Sequence, residues 1–367
     1  MGALDPVSRG IVLATIGVLL LAGLLIGALS LLGRVSGPLR RELWLRLQSW
    51  AVLLPLMLGP VLLGRVWTIA AVTLLGLLCL REYDRATGLF RQPLSTALVA
   101  LGILAVNAAA LDHWYGLFMA LIPLSVGTIA IASIPLDRPA GYIQRTGLAV
   151  FAFMLFGSSL AHLGFMANDA HYRPIVLLLL TAVAINDVFA FTCGKIMGGP
   201  KLLPATSPNK TVSGALGAMV CTSILVALIA APIFQGTQLD AWYKLVGLGL
   251  IVSFAGQAGD LMLSSIKRDL GIKDMGTVIP GHGGLLDRFN SILLVAPATF
   301  HYIGYYVGFG LDQPIRLYSS LAALTGPCAR RATTGCRRTS ACAAKGGSGG
   351  SAASSLAACG DLRCGRT

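Results

Sequence analysis

The stretch GIVLATIGVLLLAGLLIGALSLL, residues 10–32, contains no charged side chain. An α-helix rises about 1.5 Å per residue, so about 20 apolar residues cross the roughly 30 Å hydrocarbon core of a bilayer. The stretch is therefore long enough to span a membrane, and it is too long for the apolar core of a cleaved signal peptide. It predicts a membrane anchor.

The rest of the chain repeats this pattern of long apolar runs separated by short polar loops. Of its 367 residues, 55% are hydrophobic and 12% are charged, and the mean hydropathy is +0.77. Soluble domains carry about 25% charged residues, so the composition excludes a soluble protein. We predict an all-α, polytopic helical bundle in a membrane, with about ten transmembrane spans. The predicted spans cover residues 10–32, 48–64, 66–80, 93–111, 115–135, 146–167, 174–194, 212–234, 243–263 and 289–311.

The region around the second and third predicted spans is open to two interpretations. Spans 48–64 and 66–80 are short and share only Arg65 between them, so they are predicted to form either a tight hairpin or a re-entrant pair. Before them, RRELWLRLQSW, residues 40–50, combines basic side chains with Leu and Trp. It predicts a helix that lies in the headgroup layer, and an ordinary basic loop is the alternative.

Charge and composition divide the chain into four regions. Residues 1–92 contain the first three spans with the basic interfacial helix, residues 93–173 the middle three, and residues 174–312 four spans with most of the polar motifs. Residues 313–367 form a basic tail, rich in Ala, Gly and Ser, that contains five of the eight cysteines. We predict that this tail is disordered, because its composition leaves too little apolar surface to form a core.

Basic residues fall in every second loop. Arginine follows the first, third and fifth predicted spans, and lysine follows the seventh and ninth. Basic loops stay cytoplasmic, so both polar motif regions are predicted to face the cytoplasm from a multi-pass protein of the cell inner (cytoplasmic) membrane. The net charge of +13 would suggest nucleic acid in a soluble protein. Here topology and anionic lipid account for it, so we expect the lipid bilayer as a partner and no nucleic acid.

Two carboxylates fall inside predicted spans. Asp187 lies in AINDVFAF and Asp260 lies in GQAGDLMLSSIKR, each near the cytoplasmic end of its span. A charged group within the hydrocarbon core costs several kcal/mol unless it faces a wet or charged cavity, so both are candidates for a functional site. A polar contact between packed helices is the alternative for each.

A lysine-rich segment follows the first of these carboxylates. The segment GKIMGGPKLLPATSPNKTVSG, residues 194–214, contains three lysines among glycines and prolines. Thr206 or Ser207 is predicted to cap a helix that begins at Pro208, which would leave backbone N–H groups free for a phosphate. No GxxxxG precedes Lys210, so a P-loop is excluded. A topology determinant without ligand binding is the alternative.

The stretch SSIKRDLGIKDMGTVIPGHGGLLDRFNS, residues 264–291, combines glycine with charge. Its principal charged side chains are Lys267, Arg268, Lys273, Asp287 and Arg288. Carboxylates hold Mg²⁺ while Lys and Arg hold phosphate oxygens, so this mixture indicates a metal with a polyphosphate. A solvated loop of ion pairs is the alternative, but it does not account for the glycines around His282.

These residues resemble the signature of the phosphatidate cytidylyltransferases, also called CDP-diacylglycerol synthases. The matching positions are Ser264, Lys267, Arg268, Lys273, Asp274, Gly276, Pro280 to Gly284, Asp287 and Arg288. The blocks NDVFAF and SPNKTVSG resemble companion motifs of the same family, so the likeness covers roughly residues 175–310. The chain departs from the family at Asn290, where the signature usually has a second aspartate.

The resemblance implies transfer of the cytidylyl group of CTP to phosphatidate, giving CDP-diacylglycerol and pyrophosphate in phospholipid biosynthesis. Residues 174–312 are then the catalytic membrane domain. It also implies Mg²⁺ as cofactor, held by Asp260 and Asp287 with Asp187 as a third acidic ligand. Asn290 can bind Mg²⁺ through its carbonyl oxygen, although one negative charge is lost. A second, monovalent cation and a homodimer are left open.

The resemblance further suggests roles for individual side chains. We assign catalytic roles to Asp260, Asp287, Lys267 and Arg268, and substrate-binding roles to Ser207, Asn209, Lys210, Lys273, His282 and Arg288. Arg288 borders the tenth span and is expected at the lipid phosphate. The attacking phosphate is already ionised near neutral pH, so His282 is predicted to bind or to position the loop rather than to act as a base.

Two other functions are weighed against this one. A paralogue that uses CTP with another lipid phosphate, such as a polyprenyl phosphate, or that acts on a lipid alcohol is kept open by Asn290. An ion-coupled transporter would use Asp187 and Asp260 as ion ligands. A transporter also needs polar residues along a path to the far side, and the outer halves of the seventh and ninth spans carry almost none.

Overall fold

The computed structural model describes residues 4–32, 37–132, 134–137, 139–276 and 283–309, without the side chains of residues 38, 39, 42 and 46. The described residues belong to one compact unit, Met1–Tyr318. The tail that is predicted to be disordered, residues 313–367, lies outside them, and so does His282.

Helices account for almost all of the described structure. The first seven are α1 (Pro6–Leu31), α2 (Gly37–Leu63), α3 (Arg65–Thr87), α4 (Pro93–Leu111), α5 (Tyr115–Ala132), α6 (Tyr142–Ala152) and α7 (Leu160–Met166). A π-helical segment, Phe153–Ser159, joins α6 to α7 into one continuous span. The remaining elements are α8 (Tyr172–Met197), β1 (Lys201–Leu203), β2 (Ser207–Thr211), α9 (Val212–Ile233), α10 (Trp242–Asp269), α11 (Leu286–Phe289) and α12 (Ile292–Val307).

Nine helical stretches within the described residues are long and apolar enough to cross a bilayer. They are Pro6–Leu31, Leu43–Leu63, Arg65–Thr87, Pro93–Leu111, Tyr115–Ala132, Tyr142–Met166, Tyr172–Met197, Val212–Ile233 and Trp242–Asp269. The apolar helix α12 has 16 residues and lies at the predicted tenth span. The prediction of an all-α, polytopic membrane bundle is confirmed.

The second and third helices are longer than their apolar runs. Helix α2 has 27 residues and includes the whole basic stretch 40–50, and α3 has 23 residues. The reason is that Arg, Glu, Gln and Leu at the ends of the apolar runs are good helix formers, so the helices continue past them. Each of the two therefore has the length of a full span rather than that of half of a re-entrant pair.

Helices α8, α9 and α10 pack closely through small residues. A Cβ on Gly214 of α9 would lie 2.4 Å from the Ala190 carbonyl oxygen of α8, and a Cβ on Gly249 of α10 would lie 2.4 Å from the Ser223 Cα of α9. Only glycine fits at these crossings, as is typical of helix contacts within membranes.

A buried polar network links the same three helices. The Asn186 Oδ1 atom accepts hydrogen bonds from Thr222 Oγ1 at 3.0 Å and from Ser253 Oγ at 2.5 Å. Gln257 Nε2 donates to Ser253 Oγ at 3.1 Å. Asn186 directly precedes Asp187, and Gln257 lies one turn before Asp260, so the network fixes the backbone from which both carboxylates project.

Strands β1 and β2 form an antiparallel ribbon between α8 and α9, with Lys201 opposite Thr211. Helix α9 begins at Val212 rather than at Pro208, and its N-cap is Thr211, whose Oγ1 accepts a hydrogen bond from Gly214 N at 3.1 Å. The prediction of a helix capped by Thr206 or Ser207 is therefore wrong. Thr211 is an equally good cap, and Pro208 is tolerated in a short ribbon with no further strand beside it.

Candidate active site

A cleft of about 930 Å³ brings together most of the polar residues that the sequence analysis selected. It lies among α2, α8, β2, α9, α10 and α11. Its polar and charged lining comprises Asp187, Lys195, Lys201, Ser207, Asn209, Lys210, Thr211, Gln257, Asp260, Lys267, Asp274, Asp287, Arg288 and Asn290. Segments that are far apart in the sequence therefore contribute to one site.

Asp260 is held between a cation and an amide. Its carboxylate pairs with Lys210 Nζ, and its Oδ1 accepts a hydrogen bond from Asn290 Nδ2 at 2.5 Å. Helix α10 approaches the residues just before α12 closely here, since a Cβ on Gly259 would lie 2.7 Å from the Asn290 carbonyl oxygen. This close approach brings the Asn290 side chain to Asp260. The Asp260 side chain is still 23% exposed, so it keeps acceptor positions that face the cleft.

Asp287 is bound more completely. Its Oδ1 accepts from Lys267 Nζ at 2.8 Å, and its Oδ2 accepts from the backbone N–H groups of Met275 at 2.9 Å and Gly284 at 3.0 Å. The side chain is 4% exposed. Three donors use most of the acceptor positions of one carboxylate, so Asp287 ties Lys267 and the glycine-rich loop to α11.

Glycine is required where this loop turns. Gly283 has φ +79°, and a Cβ there would lie 3.1 Å from carboxylate oxygens of both Asp274 and Asp287. Any other residue would carry backbone strain and would crowd the two acids. Glycine at this turn therefore leaves space for the Asp274 and Asp287 carboxylates next to the main chain.

Asp187 projects from α8 as an exposed side chain into the cleft. It interacts electrostatically with Asp260, Lys210 and Arg288. All four predicted metal ligands, Asp187, Asp260, Asp287 and Asn290, thus line the same cavity. No cluster of three His, Cys, Asp or Glu side chains suited to a metal occurs within the part of the chain that the structure describes.

Two predicted residues do not line the cleft. Arg268 is exposed and its Nε donates to the Thr206 carbonyl oxygen at 3.3 Å, so it contacts the turn of the β-ribbon instead. Lys273 is exposed and is absent from the described lining. The cleft is lined by Lys267, which is predicted to be catalytic, and by four residues that are predicted to bind substrate, Ser207, Asn209, Lys210 and Arg288.

The sequence analysis missed Glu82, at the end of α3. Its side chain is buried, and its two oxygens accept hydrogen bonds from the backbone N–H groups of Leu285 and Leu286, each at 2.8 Å. A sequence indication was available, because Glu82 and Asp84 are acidic residues that directly follow an apolar run. Such residues are candidates for a specific partner.

Part of the cleft lining is apolar. Helices α2 and α8 supply Trp50, Leu53, Met57, Leu180, Val183, Val188 and Phe191. The cleft therefore has a charged part near the C-terminal ends of α8 and α10 and an apolar part formed by the membrane helices α2 and α8. This arrangement suits an amphiphilic ligand with an anionic head.

Comparison with known proteins agrees with this description. The sequence profile described as "Cytidylyltransferase family" matches residues 44–306. A phosphatidate cytidylyltransferase of Staphylococcus aureus (strain COL) is 34% identical over 208 residues, which cover 52% of this chain and 78% of the relative. The phosphatidate cytidylyltransferase of Staphylococcus haemolyticus is 34% identical over 224 residues, which cover 55% and 84%.

A third relative is similar over a longer region. The uncharacterized protein YnbB of Escherichia coli (strain K12) is 30% identical over 300 residues, which cover 80% of this chain and 97% of the relative. The family profile spans well over half of the chain and includes every helix that lines the cleft. The chain therefore belongs to the cytidylyltransferase family and is a multi-pass membrane nucleotidyltransferase.

Proposed function

We propose that this enzyme transfers the cytidylyl group of CTP to the phosphate of phosphatidate, which gives CDP-diacylglycerol and pyrophosphate. Membership of the family supports CTP-dependent lipid cytidylyl transfer. The observation that carries the choice of a lipid phosphate is the division of the cleft into a cationic part and an apolar part. The same division supports a lipid substrate rather than a transported ion.

The cations of the cleft match the charge problem of the reaction. A phosphate monoester oxygen attacks the α-phosphorus of CTP, and the bond from that phosphorus to the oxygen bridging to the β-phosphorus breaks. Both reactants are anions, so their repulsion must be offset. Lys210, Lys267 and Arg288 line the site with Lys195 and Lys201, and we assign them to phosphate oxygens of CTP and the lipid.

The nucleophile needs no general base from the chain. The second ionisation of a phosphate monoester has a pKa of about 6, so its oxygen is already anionic near neutral pH. The contribution of the chain is therefore position and charge. Lys210 and Lys267 are held in place by Asp260 and Asp287, so they enter the reaction already oriented.

The donor set of the cleft fits Mg²⁺, a hard cation that prefers carboxylate oxygens. We assign Asp187 and Asp260 as its ligands, because both carboxylates face the cavity and Asp260 has acceptor positions left. Asp287 is nearly enclosed by three donors, so we assign it to the loop instead. When bound, the ion would supply positive charge to the phosphate oxygens.

The test is formation of CDP-lipid by purified protein in detergent micelles with radiolabelled CTP. Phosphatidate, a polyprenyl phosphate and diacylglycerol are offered separately, with and without Mg²⁺. We expect Mg²⁺-dependent CDP-diacylglycerol, and we expect Asp260→Asn to lower its rate roughly 100-fold or more. The matched control is Asp269→Asn, since Asp269 is exposed at the end of the same helix and does not line the cleft.

Another lipid phosphate acceptor is the second candidate, and Asn290 favours it. This residue leaves the site with one negative charge fewer than the family signature that the chain resembles. Product from a polyprenyl phosphate but not from phosphatidate would replace the proposed acceptor. Product from neither acceptor, in protein that still binds CTP, would refute the proposed function.

A further inference from the structure

We infer that Glu82 is a positioning residue of the active site, although it precedes Leu285 by 203 residues. The inference rests on the proposed function. Glu82 lies on α3 and does not line the cleft, so it touches neither substrate nor the reacting atoms. It acts through the backbone of the segment that carries Asp287 and Arg288.

Among the described residues, the hydrogen-bond donors to Glu82 are backbone N–H groups. Its side chain is 7% exposed, and within the described residues it forms no ion pair. Leu285 N–H donates to Oε1 and Leu286 N–H donates to Oε2. A buried carboxylate without these donors would be strongly unfavourable, so α3 and the segment 285–286 stabilise each other in one relative position.

Two glycines make room for this carboxylate. A Cβ on Gly276 would lie 2.8 Å from Glu82 Oε1, and a Cβ on Gly284 would lie 2.5 Å from Glu82 Oε2. Both glycines belong to the signature stretch. We call the segment from Gly276 to Leu286 the catalytic loop. The Glu82 carboxylate fits a recess in this loop that a larger residue at position 276 or 284 would fill.

The contact continues directly into the site. Leu286 is followed by Asp287, whose carboxylate binds Lys267 and the backbone N–H groups of Met275 and Gly284. A displacement at Leu285 and Leu286 would therefore move Asp287 and, with it, the lysine that faces the phosphates. Displacements of about 1 Å in groups that position substrate can lower a rate about 100-fold.

Glu82→Gln tests the inference with little change of volume. The amide keeps one acceptor and turns an NH₂ group towards a backbone N–H. We expect kcat to fall roughly 10- to 100-fold while KM for CTP and for the lipid changes much less, because the displaced groups act chiefly in the transition state. The kcat of Glu82→Ala should fall further, since the alanine side chain has no hydrogen-bond acceptor.

Asp84→Asn is the matched control. Asp84 lies on the same helix and is equally buried, but it accepts its hydrogen bond from Thr96 Oγ1 at 2.8 Å, away from the catalytic loop. Its kcat should stay within about twofold of the native value. A kcat of Glu82→Gln that equals that of Asp84→Asn would overturn the inference.

Amide hydrogen exchange gives a readout that is independent of activity. The N–H groups of Leu285 and Leu286 should exchange faster in Glu82→Gln than in the native chain or in Asp84→Asn, and unchanged exchange would overturn the inference. A native chain that makes no CDP-lipid would refute the proposed function but not the structural role of Glu82, which the exchange rates test separately.

If Glu82→Gln does not fold, Gly284→Ala disturbs the same contact from the loop. Exchange rates at Leu285 and Leu286 in that variant equal to those of the native chain would also overturn the inference.

Discussion

The amide of Asn290 makes a contact that a carboxylate could not make. Its Nδ2 donates to Asp260 Oδ1, while its Oδ1 accepts from Ser291 N at 2.8 Å. An ionised aspartate at this position has no hydrogen to donate and would place a second negative charge beside Asp260. The neutral side chain at position 290 therefore gives Asp260 a hydrogen-bond donor instead of a second negative charge.

We expect Asn290→Asp to destabilise the metal-free protein by roughly 1–3 kcal/mol, because a hydrogen bond to a charged group is replaced by repulsion. Thermal unfolding in EDTA should show a lower Tm, and Mg²⁺ should raise it more than in the native chain, since a cation that binds the folded state stabilises it. Asn290→Ala removes the donor without adding charge and should lack this extra response. Equal Tm values for the native chain and Asn290→Asp in EDTA would contradict the expectation.

Most of the cleft could be predicted from the sequence at the level of single residues. Asp187, Asp260, Lys210 and Lys267 are polar residues at the ends of apolar runs, which a short window of sequence reveals. Glu82 also follows an apolar run, but its partners could not be predicted, because they are backbone N–H groups more than 200 residues away. Nothing in the local pattern indicates which loop a helix end will meet.

Among the elements, the β-ribbon before α9 shows where local rules fail to choose. Both Ser207 and Thr211 are acceptable N-caps by residue type, and Pro208 favours the earlier start. The pairing of β1 with β2 keeps residues 207–211 extended, so the helix begins only after Thr211. The choice depends on strand pairing, which a scan for helix signals does not include.

We expect Thr211→Ala to lower the free energy of unfolding by about 1 kcal/mol, because the first turn of α9 loses the acceptor for Gly214 N–H. Thr211→Ser keeps the hydroxyl and is the control. Thermal unfolding of both variants in the same detergent measures the difference. Identical Tm values for Thr211→Ala and Thr211→Ser would show that the cap contributes nothing.

At the scale of the whole molecule, hydropathy predicted the helical membrane bundle but not its lateral packing. The nine spans found within the described residues and the apolar α12 follow from runs of apolar residues. The π-helical segment within the sixth span, and its direct contact with α3, do not follow from them. A Cβ on Gly76 of α3 would lie 2.7 Å from the Phe156 carbonyl oxygen, which is a relation between two distant parts of the chain.

The charge asymmetry of the loops leads to a prediction about orientation. We expect the β-ribbon on the cytoplasmic side and the loop between α9 and α10 on the other side. With a membrane-impermeant maleimide, Gln235→Cys should react in intact cells, while Lys201→Cys should react only after permeabilisation. Both side chains are exposed, and the native chain gives the background of its own cysteines. The reverse pattern would invert the proposed orientation.

Two contacts of α3 involve main-chain atoms of their partners. Gly76 approaches a carbonyl oxygen of the π-helical segment, and Glu82 accepts from two N–H groups of the catalytic loop. The identity of the side chains at 285 and 286 does not enter these bonds. During evolutionary divergence, substitutions at those positions that preserve the packing of the buried Leu286 can leave both bonds intact, whereas a larger residue at Gly276 or Gly284 would collide with the Glu82 carboxylate.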